Sequence, residues 1–296
     1  MTPVLRWIDA PDGWRLAVTD VMPEGPARGV VIAGHAMMVD GRTLWRADRP
    51  SLAGTLAARG FRVLVPDLRG HGLSGPTPSQ GGRWSYADLV ADVPRYVALA
   101  RALEPRAPVV LLGNSLFGHL ALVWLGRAPD AGVRALVGLA VNIWGRRWTA
   151  TRTRWWLKRA LAELSVPLVR RVGRLPVRRL GLGSADESAA YWLEMARWVL
   201  EDRWGARDDE YTRAMARVDC PVLMVTSEGD RLLAHPDDAA LFTRALGHRR
   251  ELWCVGPGSA LPSLRSIAPG HVGMVRDPSA APLWDALGSW IAARCA

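Results

Sequence analysis

In Val109-Val110-Leu111-Leu112-Gly113-Asn114-Ser115-Leu116-Phe117-Gly118-His119-Leu120 a serine stands where an apolar strand-like run gives way to helical spacing. A hydroxyl on such a strand-to-helix turn is exposed at the sheet edge. The backbone N–H of the following residue, Leu116, then faces any negative charge that develops beside the helix N-terminus. A serine hydroxyl is too weakly acidic to attack a carbonyl unaided. It needs an imidazole to take its proton and deliver it to the leaving group, and a carboxylate to fix the tautomer of that imidazole. Both follow in the chain: Asp230 in Ser227-Glu228-Gly229-Asp230-Arg231, just past an apolar run, and His271 in Pro269-Gly270-His271-Val272-Gly273, ahead of the last helical stretch. The order Ser, Asp, His predicts acyl chemistry with Ser115 as nucleophile, His271 as base and Asp230 as the acid that orients it.

Each of these residues has a plainer role open to it. Serine is a favoured helix N-cap, Glu228 is a rival acid, and His235 and His248 are rival bases. His35, His71 and His119 read as structural or pocket-lining. None of the six histidines has the spacing of a zinc motif, so no metal and no cofactor are expected. Gly181-Leu182-Gly183 follows no strand and lacks a third glycine, which excludes a dinucleotide loop.

The elements that must position these groups alternate. Continuous apolar runs at Gly29–Gly34, Phe61–Pro66, Pro108–Gly113, Arg134–Val141, Pro221–Thr226 and Glu251–Val255 suit strands covered on both faces of a mainly parallel sheet. Leu5–Ile8 and Arg15–Val21 read as a hairpin around Pro11-Asp12-Gly13. Helical periodicity fills Leu44–Arg59, Tyr86–Leu103, Leu116–Arg127, Pro236–Leu246 and Ala281–Ala293. The expected fold class is therefore α/β, a doubly wound, mainly parallel sheet.

One stretch breaks the rhythm. From Asn142 to Arg213 no strand is predicted, and the helical spacing carries seven tryptophans. Between Gly145 and Gly183 lie eleven cations and one acid, Glu163, which accounts for the whole net charge of +10. The chain thus divides into a core at 1–142, a helical Trp- and Arg-rich insertion at 143–212 and the rest of the core at 213–296. Charge confined to one insertion argues against a nucleic-acid partner. Three readings of the insertion stay open. It is a cap with solvated cations, or its cations attract an anionic substrate group. Alternatively, Trp155, Trp156, Leu157, Leu161 and Leu164 form an interfacial face, with Arg152, Lys158 and Arg159 meeting anionic lipid.

With 296 residues, half of them hydrophobic, the chain can bury a large core without staples. Its opening residues do not read as a secretory signal, and no run is long enough to span a membrane. The three cysteines, Cys220, Cys254 and Cys295, are odd in number and unpaired in spacing, which points to a cytoplasmic protein.

The landmarks VVIAGHAMM, PDLRGHGLSG, GNSLFGHLA, TSEGDRLLAHP and APGHVGM resemble the α/β-hydrolase superfamily over nearly the whole chain, most closely its serine-aminopeptidase-like groups with a helical cap. The resemblance implies a second oxyanion donor at the backbone N–H of Met37 and a site edge shaped by Asp67–Gly72. It implies a serine esterase acting on a small hydrophobic acyl substrate, in a pocket expected to include His35, Phe117 and Trp144. Amide, thioester, acyl-transfer and carbon–carbon bond chemistry share the same residues. Two positions depart from the pattern. Phe117 replaces the usual small residue two positions after the serine and is expected to crowd the elbow or shape the pocket. Gly34-His35-Ala36-Met37 replaces the common His-Gly pair. These departures support an alternative in which the fold serves as a weakly catalytic ligand-binding protein.

Overall fold

The computed structural model describes residues 3–205, 209–247 and 249–296. His248, one of the rival bases, and residues 206–208 of the expected insertion lie outside the described residues. The chain runs through β1 (Val4–Asp9), β2 (Arg15–Val21), β3 (Val30–Gly34), α1 (Leu52–Ala58), β4 (Arg62–Pro66), α2 (Tyr86–Leu103), β5 (Val109–Asn114), α3 (Leu116–Arg127) and β6 (Ala135–Leu139). It continues with α4 (Arg152–Val172), β7 (Arg174–Leu175), β8 (Glu187–Ser188), α5 (Ala189–Glu201), α6 (Glu210–Met215), β9 (Val222–Ser227), α7 (Pro236–Thr243), β10 (Arg250–Val255), α8 (Gly273–Arg276) and α9 (Ala281–Cys295).

Eight strands form one sheet in the order β1-β2-β4-β3-β5-β6-β9-β10. The β1–β2 hairpin and the β2–β4 pairing are antiparallel, and every pairing from β4 to β10 is parallel. The continuous apolar runs of β3, β4, β5, β6 and β9 have a direct cause: alternate residues of each strand enter opposite core layers, whereas β10, at the sheet edge, buries only Val255. Val30, Ile32, Val109, Leu111, Val222 and Met224 pack with α2, α3 and α6, whereas Val31, Ala33, Val110, Leu112, Leu223 and Val225 pack with α1 and α9. Burying each such side chain contributes about 1.5–3 kcal/mol, so both faces of the sheet must be covered.

Two elements differ from expectation. The helix expected over Leu44–Arg59 is confined to α1. Pro50 disfavours helical backbone at Arg49, and Ser51 starts the helix instead, its side chain accepting from the Gly54 N–H at 3.3 Å. The insertion also holds a two-stranded ribbon, β7 with β8, of two residues each, too short to leave an alternating pattern.

Phe117 is accommodated by an absence. It is fully buried against α2, with its ring 6.3 Å from that of Tyr96. A Cβ at Gly34 would lie 2.0 Å from Phe117 Cγ, so the ring occupies the space a side chain on β3 would need. Overpacking of this kind costs about 1–3 kcal/mol, and Gly34→Ala is expected to lower the urea midpoint accordingly. Combined with Phe117→Ala, which makes room, the loss at Gly34 should largely vanish, giving a coupling of more than about 1 kcal/mol in a double-mutant cycle. Additive losses would contradict this packing.

Candidate active site

Ser115 lies between β5 and α3 with φ 50° and ψ −106°, a conformation that costs a non-glycine residue about 1–3 kcal/mol. Its surroundings hold it there. The Ser115 N–H donates to Leu139 O at 2.8 Å, and the His119 N–H donates to Ser115 O at 3.2 Å. A Cβ at Gly113 would sit 2.2 Å from Gly118 N, so the close strand–helix approach uses a glycine three positions after Ser115, not two. Asn114 extends its amide to two carbonyls, Leu139 O at 3.1 Å and His271 O at 3.3 Å, tying the elbow to the histidine loop.

His271 precedes α8, and its Nδ1 lies 2.5 Å from Oδ2 of Asp230, which follows β9. The same carboxylate accepts from the Leu233 N–H at 3.0 Å and the Ala234 N–H at 3.1 Å. Burial pushes the Asp230 carboxyl up, but the hydrogen bond and charge of His271 and the two N–H groups outweigh it. The group titrates below its ordinary 3.8. A buried anion on Nδ1 keeps that nitrogen protonated, which leaves Nε2 free to accept a proton.

Ser115 and His271 line one cavity of about 170 Å³. The core contributes Ala36, Met37, Met38 and Val272, and the insertion contributes Trp144, Ala162, Leu182, Trp192 and Met195. Met37 lines it too, and among the described residues neither the Met37 nor the Leu116 N–H donates to a protein acceptor. The Trp144 and Trp192 indole N–H groups are satisfied by Leu233 O and Ser165 Oγ. Asn142, on the cavity wall, has neither amide atom paired among the described residues.

The other sequence candidates fall elsewhere. Phe117 and His35 do not line the cavity: Phe117 lies on Gly34, and His35 is fully buried behind it. His35 donates from Nδ1 to Ala36 O at 2.7 Å and accepts the Leu68 N–H on Nε2 at 3.0 Å. Burial, with the nearby His71, pushes its pKa down to about 3. His119 pairs with the Tyr86 hydroxyl at 2.9 Å, and burial pushes its pKa down to about 3 as well. His235 caps α7, accepting the Asp237 N–H, and Glu228 accepts the Gly258 N–H at 2.8 Å.

A family model described as serine aminopeptidase, S33, matches residues 25–256. This chain belongs to the serine aminopeptidase S33 family of α/β hydrolases. A stretch of 90 residues is 39% identical to the pyrethroid hydrolase of Sphingobium wenxiniae, covering 28% of this chain and only 27% of that relative. Among solved structures, a thermophilic esterase from Thermogutta terrifontis aligns at TM-score 0.62 and 19% identity over 100% of both chains. A soluble variant of monoglyceride lipase from Saccharomyces cerevisiae aligns at 0.69 and 16%, over 99% of this chain and 95% of the other. At such identities the likeness is one of fold.

This S33 hydrolase also carries a contact that its sequence hides. Met38, with φ 65°, follows Met37 directly. Its N–H donates to Glu187 Oε1 at 2.6 Å, and its carbonyl accepts from the N–H groups of Ser184 at 2.9 Å and Ala185 at 3.1 Å. Gly183 permits the approach, since a Cβ there would lie 2.2 Å from Met38 O. Nothing in the sequence around Glu187 marks it for this contact. Its Oε1 also faces His71 Nε2 at 3.1 Å, while His71 Nδ1 faces Arg69 O at 2.7 Å. Acceptors on both nitrogens favour the doubly protonated ring of His71: burial opposes this, but the Glu187 charge and hydrogen bond, the Arg69 carbonyl and Asp67 outweigh it, and its pKa is raised from the ordinary 6.5.

Because the folded pKa of His71 exceeds its unfolded value, this pair contributes stability in full below pH 6.5 and loses it as pH rises through the raised pKa. Glu187→Ala is therefore expected to cost about 1–3 kcal/mol at low pH and less at high pH. Chemical denaturation of both proteins across that range measures it. A pH-independent difference would mean that His71 is neutral.

Proposed function

We propose that this S33-family hydrolase is a serine esterase working through an acyl-serine intermediate. The observation that carries the reading is a single cavity lined by a strained serine, an aspartate-bound histidine and Met37, whose N–H, like that of Leu116 beside the serine, donates to no protein acceptor among the described residues. His271 Nε2 takes the Ser115 proton as Oγ attacks the carbonyl carbon, and the oxyanion is met by the N–H groups of Leu116 and Met37. The tetrahedral species collapses as His271 delivers that proton to the leaving alcohol. Water, activated by His271 in turn, then releases the acid and restores Ser115.

The cavity wall of leucine, methionine, alanine and tryptophan suits a hydrophobic acyl or alcohol group. Asn142, with its unpaired amide, fits a substrate that also carries one hydrogen-bonding group. The relative named for pyrethroid hydrolysis and the esterase and lipase neighbours support ester hydrolysis, without naming this chain's ester. Cys220, Cys254 and Cys295 are free thiols, which fits a reducing, cytoplasmic setting. The binding-protein alternative drew on two departures, and the placement of Phe117 on Gly34, outside the cavity, takes away the first.

A fluorophosphonate probe is expected to label the protein and to lose all labelling in Ser115→Ala. Asp230→Asn keeps the fold but favours the wrong tautomer of His271, and should lower kcat on a short-chain ester about ten-thousandfold. Glu187→Ala, which frees the Met37–Met38 turn, should lower kcat with little change in KM, and Glu187→Gln should restore much of it. A folded, unmutated protein that neither labels nor turns over an ester panel would overturn this function.

A further inference from the structure

Helix α4 has two apolar sides. Trp155, Lys158, Ala162 and Val169 face inward, which removes Trp155 and Lys158 from the interfacial face read from the sequence: Lys158 is fully buried, with Nζ 2.8 Å from Asp238 Oδ2. The other side carries Trp156, Leu157, Ala160, Leu161 and Leu164, at helical spacing and all exposed, Trp156 by 61% and Leu164 by 73%. A single exposed leucine means little, but a stripe of four large apolar side chains along one helix marks a contact surface.

The cations divide in the same way. Arg147, Arg154, Lys158, Arg159 and Arg174 each pair with a carboxylate. Arg152, Arg170, Arg171, Arg178 and Arg179 are exposed, and among the described residues none of their guanidinium groups pairs with a carboxylate. They flank the stripe at both ends of α4 and in the loop beyond it, where Leu180 and Leu182 are also exposed. Leu182, 62% exposed, is at the same time part of the wall of the Ser115 cavity.

We infer that this face docks on an anionic lipid bilayer, with Trp156, Leu157, Leu161 and Leu164 entering the interface and the five unpaired arginines meeting the headgroups. An apolar stripe flanked by unpaired cations matches a surface whose negative charge is diffuse and lies over hydrocarbon. A second copy of this chain would bring the same uncompensated cations against each other, which disfavours a self-complementary contact. Docked in this way, the cavity opens beside the bilayer at Leu182, so an apolar ester could enter from lipid. That last consequence rests on the proposed esterase reading, whereas the docking does not.

The test is sedimentation of the full-length protein with phosphatidylcholine vesicles, with and without phosphatidylglycerol, alongside turnover of a water-soluble short-chain ester. The expected result is binding that requires phosphatidylglycerol and weakens with added salt. Leu157→Glu combined with Leu164→Glu should weaken it at least about tenfold, and Arg170→Gln and Arg171→Gln about fivefold each. Soluble-ester turnover should be unchanged in all of these variants, none of which alters the cavity wall. Lack of binding to anionic vesicles, or binding that ignores the leucine changes, would overturn the inference. So would a dimer, seen by analytical ultracentrifugation, that the leucine changes dissolve, since a second copy would then cover the face. Vesicle binding without ester turnover in any variant would refute the esterase reading and leave the docking intact.

Discussion

Ser115 cannot hold φ 50° and ψ −106° by its own preference, because an L side chain in that region crowds its own backbone. Everything near it is arranged to leave no alternative. Its N–H is committed to β6 through Leu139 O, and Asn114 is bonded to β6 and to the histidine loop. Gly113 and Gly118 let the helix begin almost in contact with the strand it leaves. These constraints place the hydroxyl at the carboxyl edge of the sheet, where β9 delivers Asp230 and the loop after β10 delivers His271. Core packing supplies the free energy that holds the turn, since β5 is buried along its whole length.

The insertion is fastened on both flanks of the cavity by buried polar contacts. On one side Asp238 of α7 receives Arg154, Lys158 and the Ala150 N–H. On the other, Glu187 receives the Met38 N–H and His71, and Ser188 Oγ accepts the Trp84 N–H. Between these fastenings the contact surface is apolar and includes Ser115. The second contact reaches the cavity wall, because fixing Met38 at both its N–H and its carbonyl fixes the peptide next to Met37.

Much of the frame was legible in the chain. Strands buried on both faces must be apolar at nearly every position, and five of the six continuous runs are buried in this way, whereas the sixth, β10, lies at the sheet edge with Arg250, Glu251 and Leu252 exposed. The proposed triad of Ser115, Asp230 and His271 was picked out because each follows such a run. What was not legible depends on pairs distant in sequence. Phe117 appeared to crowd the elbow only while its partner, Gly34, was unknown. Glu187 carries no local mark, since its role comes from Met38, 149 residues earlier. Trp155 and Trp156 are neighbours in sequence, yet one is buried and the other exposed. Composition cannot separate two sides of a helix when both are apolar.

The choice of buried charged pairs for these fastenings has a physical consequence. Removing a carboxylate and a cation from water costs several kcal/mol per ion, so such a pair adds little net stability compared with apolar residues of similar size. It does define one position, because an insertion shifted by a few ångströms would leave Lys158 or Asp238 buried without its partner. An apolar seam would tolerate such a shift, since leucine and tryptophan surfaces match one another in many registers. The cavity requires the less tolerant kind of joint. Its apolar wall gives a substrate little directional guidance, so the alignment of a carbonyl carbon with Ser115 must come from where the wall itself is held. Placing the polar fastenings outside the cavity, at Asp238 and Glu187, gives that alignment and keeps the cavity wall apolar.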